Sequence, residues 1–327
     1  MTTTKTTTPV IDAQTTLDMV RQRAVMATLN IRVWTGKITD KAESVKVCAS
    51  NKAEPKVAKV LKDCLSKDQL REVNTIAKEI RELYDSNTLN SMIHGMRILP
   101  ASKVMDIGAA AISANEKMKD AVKRTLQEPW SEILDSRRTA MQGLFHEEDY
   151  PTVDELPGRF GVTLSIFEIP AADSFAVQLA GDAAAMVSDQ LTKSNAAMLE
   201  SMALETCARL AKPLDSLIDK LTHYEKGDNG KLQRRIHANM LPNLLGVLDS
   251  LEGLNVLGNA DLDALLTRIR RDLKDVETDV LKVSEAARSN TLAKAKSGRK
   301  QLDKIVSDLM PAESSADRLA KIMADLG

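Results

Sequence analysis

Aliphatic side chains recur every three or four residues along most of this chain, and that period is what most narrows the folds open to it. Leu70, Val73, Ile76, Ile80 and Tyr84 form one such stripe; Leu199, Met202, Thr206, Leu210, Leu214, Leu217 and Leu221 form a longer one, with Pro213 embedded. Residues at these spacings share one face of an α-helix, which must then be covered by another element. The same pattern returns in Leu232, Ile236, Met240, Leu244, Leu248 and Leu251, and again from Leu262 through Leu265, Ile269, Leu273, Val276 and Val280 to Val283. Turn residues separate the stripes: His223 to Gly230 carries two glycines, and Gly253 to Asn259 joins the next pair. The expectation is a mainly α fold, an elongated antiparallel bundle of coiled-coil-like helical hairpins.

Aromatic residues make up 3% of the chain against 43% hydrophobic residues in all, so the apolar content is mostly Leu, Ala, Ile, Val and Met, which suits helix interfaces. Phe160, Val162, Leu164 and Ile166 alternate with Gly161, Thr163 and Ser165, giving one strand-like crossover near residues 160–170 bounded by prolines. The regions expected are a Thr-rich flexible tail over residues 1–12, an N-terminal helical region over 13–150, the crossover over 151–172, a C-terminal helical bundle over 173–310, and a short terminal helix over 311–327. Within the N-terminal region, Leu17 to Val33 reads as one amphipathic segment closed near Gly36. Lysine-rich residues 37–65 read as helical pieces with a joint at Asn51 and Pro55, and a long helix spans about 103–145.

Formal charge is -1, with 45 basic and 46 acidic residues, so no global field gathers polyanions on the surface, and nucleic acid is not an expected partner. Basic clusters at Lys231 to Arg235, at Arg268, Arg270 and Arg271, and at Lys294 to Lys300 lack interleaved aromatics that would stack bases, so they are read as solvated helix faces. Cys48, Cys64 and Cys207 have neither disulfide nor zinc spacing, which fits a reducing compartment. No run of about 18 apolar residues predicts a membrane span. The six threonines around Lys5 are not a signal peptide.

Catalytic chemistry is not expected, and no metal or cofactor is. His146-Glu147-Glu148-Asp149 is the densest group of potential ligands, but adjacent residues cannot converge on one point. His94, His223 and His237 stand apart from any nucleophile motif, and phosphate-binding glycine loops are absent. The only contact residues singled out are Arg32 and Trp34, candidates for touching a protein partner.

Leu29-Asn30-Ile31-Arg32-Val33-Trp34-Thr35-Gly36, Val73-Asn74 to Tyr84, Arg97-Ile98-Leu99-Pro100, and Tyr150-Pro151 to Phe160 with Ile169-Pro170 and Phe175 together cover roughly half the chain, mainly residues 25 to 180. In these stretches the chain resembles an uncharacterised family of phage-encoded helical proteins, a domain of unknown function commonly encoded beside a MoxR-type AAA+ ATPase and a cobaltochelatase-like von Willebrand A protein. The resemblance implies a non-enzymatic phage accessory protein in the host cytoplasm, an adaptor or partner of an AAA+ and von Willebrand A remodelling complex. Two other expectations stand beside it: a virion or assembly component that oligomerises through long helices, and a nucleic-acid-associated protein. The resemblance transfers no functional residues.

Overall fold

The computed structural model describes residues 13–91, 93–169, 182–224, 235–309, 319 and 322–324. The chain is mainly helical and carries two small antiparallel sheets in addition. It divides into two compact units woven from alternating segments. Unit 1 takes Met1–Ala27, Ser86–Val104 and Ile166–Gly327; unit 2 takes Thr28–Asp85 and Met105–Ser165. The Thr-rich tail and the connection at residues 225–234 lie outside the described residues, as does most of the terminal segment.

Unit 1 is the helical bundle. Helix α1 (Ala13–Arg23) packs on α6 (Asp182–Thr222), a single helix of 41 residues that contains Pro213; α6 also packs on α7 (Met240–Leu254) and on α10 (Glu285–Leu309), and α8 (Ala260–Leu273) packs on both α7 and α10. The stripes of the sequence turn inward here as far as Leu273, while Val280 and Val283 stay exposed. Leu210, Leu214, Leu244, Leu248, Leu265, Leu266 and Leu302 are wholly or almost wholly buried, each worth about 2 kcal/mol relative to exposure. Asn259 caps α8 by accepting from the Leu262 N–H at 3.0 Å, which satisfies one of the orphan donors at a helix start. At Gly298 a Cβ would stand 3.3 Å from Ile269, so the glycine lets α10 approach α8 closely.

The stripe ending at Val283 was expected to be one helix. It breaks after Leu273, and α9 (Thr278–Val283) restarts it. The helix expected from Leu232 begins instead at Met240, because Pro242 lacks the N–H an interior position needs and is tolerated in a first turn.

The segment Leu17–Val33 is not one amphipathic element. After α1 the chain becomes strand β1 (Ala24–Arg32), whose first part pairs antiparallel with β5 (Arg97–Pro100) in the register Ala24↔Pro100 to Ala27↔Arg97; β5 also pairs with β4 (Leu89–Asn90). Thus the strand-like passage at residues 160–170, which does form β6 (Gly161–Phe167), is one of six strands among the described residues rather than a solitary crossover. It is the neighbour of β1 in the order β4-β5-β1-β6, so its backbone groups are satisfied by a ladder.

Unit 2 is built around α3 (Arg71–Ser86), whose Val73, Ile76, Ala77 and Ile80 meet Ala111, Met118 and Val122 of α4 (Val104–Val122), together with Leu126, Trp130, Ile133, Leu156 and Phe160. The long helix expected over 103–145 is interrupted by a π turn at Lys123–Gln127 and by Pro129, which starts α5 (Trp130–Met141). The lysine-rich passage is also corrected. Its ends are strands β2 (Lys37–Asp40) and β3 (Val60–Asp63), paired Lys37↔Asp63 to Asp40↔Val60, and only the middle, α2 (Lys41–Ser50), is helical. Alternation decides this: Ile38 and Lys62 face inward while Thr39 and Leu61 face water, a period-2 pattern that a helix cannot satisfy.

Candidate functional site

The β2–α2–β3 passage forms a small lobe of unit 2. Asp40 holds its corner. Its carboxylate accepts from the Glu43 N–H at 2.9 Å, capping α2, and its backbone carbonyl accepts from the Ser44 hydroxyl. The same hydroxyl accepts from the Val60 N–H at 2.9 Å, which ties the helix to β3. Beneath this joint Lys62 Nζ lies 3.0 Å from Asp40 Oδ2, donates to the Leu144 carbonyl at 3.1 Å and pairs with Asp149. The Glu43 N–H and then Lys62 hold the Asp40 carboxyl below its usual range. Burial pushes Lys62 down, but the hydrogen bonds to Asp149 and Asp40 outweigh it and the ammonium titrates above its usual value. Lys62 is therefore a fixed cation with a structural task.

Next to it Cys64 is buried, and the Tyr150 hydroxyl donates to Met141 Sδ at 3.5 Å. Burial raises the thiol and the phenol alike, which makes neither a nucleophile at neutral pH. Gly36 closes the lobe at φ +68°, where its carbonyl accepts from the Cys64 N–H at 2.7 Å.

The outer face of the lobe has a different chemistry. Val45, Val57 and Leu61 are 63%, 66% and 57% exposed. Val45 and Leu61 are the residues next to the Ser44–Val60 joint, and Val57 is three residues before it. Around them the sequence 37–67 holds eight lysines and four acids. Three of the acids are consumed inside the lobe, Asp40 by Lys62, Glu43 by Lys46 and Asp63 by Lys37. Lys41, Lys52, Lys56, Lys59 and Lys67 are exposed and have no carboxylate at ion-pair distance among the described residues. Two of them sit in the left-handed region, Lys52 at φ 50° and Lys56 at φ 77°. Glycine adopts that region freely, whereas a lysine there costs about 1 kcal/mol.

In the basic clusters over residues 268–271 and 294–300 the arginines are paired, while Lys296 and Lys300 are exposed. Arg268 binds Gln301 and Ser297, Arg270 pairs with Asp249 and Glu252, and Arg299 pairs with Asp215 at 2.8 Å and with Asp303. The charge of these three arginines is met within the bundle. Of the cluster Lys231–Arg235, only Arg235 lies within the described residues.

Arg32 ends β1 and Trp34 lies two residues beyond it. Arg32 is exposed beside Gly161, where a Cβ would meet its guanidinium at 3.3 Å; Trp34 is half-buried against the unit 2 core, with the Arg159 guanidinium 5.1 Å from its ring centroid. His94, His146, His223 and His237 are all exposed. The His146–Asp149 run is pulled apart by a 3₁₀ turn: Asp149 turns in to Lys62, while Glu147 reaches Arg138 at 3.4 Å. No set of three or more potential metal ligands converges among the described residues.

Two features of unit 1 had no clear signal in sequence. Glu205, 1% exposed, accepts from the Asn90 N–H at 2.6 Å and from Arg209 at 2.7 Å, with Arg97 at 3.6 Å; Arg97 and Arg209 also hold Thr88 and its carbonyl. Only the i, i+4 spacing of Glu205 and Arg209 hints at this. Second, a cavity of about 560 Å³ opens among α1, α6 and the α7–α8 connection, lined by Leu199, Met202, Ala203, Cys207 and Leu257, with Asn255 and Asn259 at its polar side. Burial pushes the Cys207 thiol up to about 12, so it lines the space as an inert apolar group. The chain matches no protein-family model, no curated protein and no solved structure.

Proposed function

We propose that this protein is a non-enzymatic adaptor that works by binding other proteins, and that its partner is an AAA+ ATPase of the MoxR type together with a von Willebrand A protein. The observation that carries the binding reading is the contrast within unit 2. Its interior is filled, with Val73, Met118, Ala121 and Leu126 wholly or almost wholly buried, yet Val45, Val57, Leu61, Met105 and Ile112 stay in water. Met105 and Ile112 are seven residues apart on α4 and 81% and 65% exposed, so they lie on one side of the helix. Aliphatic groups held in water on a fixed frame gain free energy when a partner covers them, which is how helical surfaces recruit other proteins.

The identity of the partner rests on the resemblance to phage-encoded proteins, as do a phage origin and the host cytoplasm as the place of action. A second reading, a virion or assembly component, draws on α6: a helix of 41 residues can form antiparallel coiled-coil-like packing between copies. Purification of the tagged full chain from infected cells, with mass spectrometry of the proteins that co-purify, separates the two. Recovery of an ATPase and a von Willebrand A protein supports the adaptor, while recovery of capsid or tail proteins alone overturns it.

A further inference from the structure

Five lysines with no carboxylate at ion-pair distance among the described residues and four exposed aliphatic residues, Val45, Val47, Val57 and Leu61, are concentrated in the 31 residues 37–67 of the β2–α2–β3 lobe, and two of those lysines have left-handed backbone. Of the three non-glycine residues at positive φ among the described residues, two are Lys52 and Lys56, in the connection between α2 and β3. A lysine at such a position forgoes the ease that glycine or asparagine would have, and its side chain finds no compensating contact among the described residues. Strain without an internal return points outward, to something the side chains meet when bound.

The lobe's own chemistry selects the partner. Pairing of Asp40, Glu43 and Asp63 within the lobe leaves Glu54 against Lys41, Lys52, Lys56, Lys59 and Lys67. An acidic surface is therefore complementary, and a basic one is repelled. Residues 37–67 contain no Phe, Tyr or Trp. A nucleic-acid site would use aromatic rings to stack bases, and an interfacial membrane site would anchor through aromatic and long apolar side chains. Val45, Val57 and Leu61 instead offer short aliphatic contacts of the kind that meet leucine, isoleucine or valine of another polypeptide.

We infer that the exposed surface of this lobe, with Val57 between Lys56 and Lys59 in the connection from α2 to β3 and Lys52 at its start, docks an acidic segment of a partner protein that carries aliphatic side chains at helical spacing. This rests on the reading of the chain as a protein-binding module, and it specifies where and by what chemistry. Lys62 does not take part. Its charge is already balanced by Asp40 and Asp149, and its position keeps the frame of the lobe fixed while the outer lysines meet the partner.

The test uses the full chain and a labelled peptide of about 20 residues, long enough to hold a helix, with leucine at every third and fourth position and glutamate between. Binding is followed by fluorescence anisotropy at low and high salt. The expected result is saturable binding that weakens with salt, falls about tenfold in Lys52→Gly/Lys56→Gly/Lys59→Ser, the sum over three exposed charge contacts, and falls again in Val57→Ser. The two glycines remove strained lysines, so the melting temperature of that variant holds or rises, which separates lost binding from lost folding. Equal affinity of variant and wild type overturns the inference. So does tighter binding to phosphatidylserine vesicles or to single-stranded DNA than to the peptide. If wild type and variant capture the ATPase and von Willebrand A protein equally well, this inference falls and the adaptor reading stands; if neither protein is captured but the peptide binds through the lobe, the adaptor's named partners fall and the inference stands.

Discussion

Lys62 Nζ lies 3.0 Å from Asp40 Oδ2, with both side chains no more than 6% exposed. Lys62→Met leaves Asp40 and Asp149 facing each other without a cation. The loss is expected to be about 2 kcal/mol, below the range for deeply buried pairs because the Asp149 side chain is 27% exposed. The pH dependence follows from the two shifts. Asp40 titrates below its usual value of 3.8, so its contribution is complete above about pH 4 and is lost as pH falls through the lower folded value. Lys62 titrates above its usual value of 10.5, so its contribution is complete below that pH and is lost as pH rises through the higher folded value. Urea denaturation of wild type and Lys62→Met should differ by a constant amount from about pH 5 to 9 and converge only as pH falls through the folded Asp40 value or rises through the folded Lys62 value. A difference that changes steadily across neutral pH would mean that another group governs the lobe.

Gly36→Ala should be among the most costly single substitutions in unit 2. The residue stands at φ +68°, and a Cβ there would come within 2.6 Å of Leu65 Cβ. The left-handed conformation costs about 1–2 kcal/mol and the overlap a similar amount, so a loss of about 3 kcal/mol is expected in chemical denaturation. Gly95→Ala is the control, since its φ is +80° but nothing stands within 4 Å of the added carbon; it should cost about half as much.

Glu205→Ala removes the carboxylate between Arg209 and Arg97 and strips the Asn90 N–H of its acceptor. A buried pair broken from one side costs about 3 kcal/mol. Glu205→Gln keeps an acceptor for Asn90 and gives up the charge, so it should cost about 1–2 kcal/mol. Midpoints of urea unfolding for the two variants should fall in that order, with unchanged slopes; equal loss would mean that the backbone contact, not the charge, matters.

Ala203→Leu places three more carbons in the cavity beside Met202 and Cys207. Filling an apolar void in a helical core gains about 1 kcal/mol where the side chain fits without strain. A melting temperature raised by a few degrees would support the cavity as described, and a lower one would mean that the space is already taken.

Legibility from sequence tracked the range of the interactions. The stripe Leu70–Tyr84 is a local pattern, decided by neighbours three or four residues away, and it becomes α3 close to where the period places it; the stripes over Met240–Leu251 and Leu262–Leu273 become α7 and α8 in the same way. Ala24–Arg32 has no local mark that separates it from the amphipathic run before it. Its strand identity comes from pairing with Arg97–Pro100, more than 70 residues later in the chain. The same holds for the lobe: its lysine excess is plain in the sequence, but that Lys62 alone among those lysines turns inward depends on Asp149, 87 residues away. The left-handed backbone at Lys52 and Lys56 carries no residue-type signal, since lysine is not what that conformation favours.

The alternation of segments between the two units also bears on how the chain is made. Unit 2 is complete once synthesis reaches Ser165, when unit 1 still lacks α6, α7, α8 and α10, which supply most of its core. A nascent chain leaving the ribosome N-terminus first can therefore close unit 2 while Met1–Ala27 and Ser86–Val104 wait. Those two waiting segments carry Leu17, Val20, Leu89 and Ile98, apolar residues with no bundle yet to enter, so during that interval they are natural clients for a chaperone.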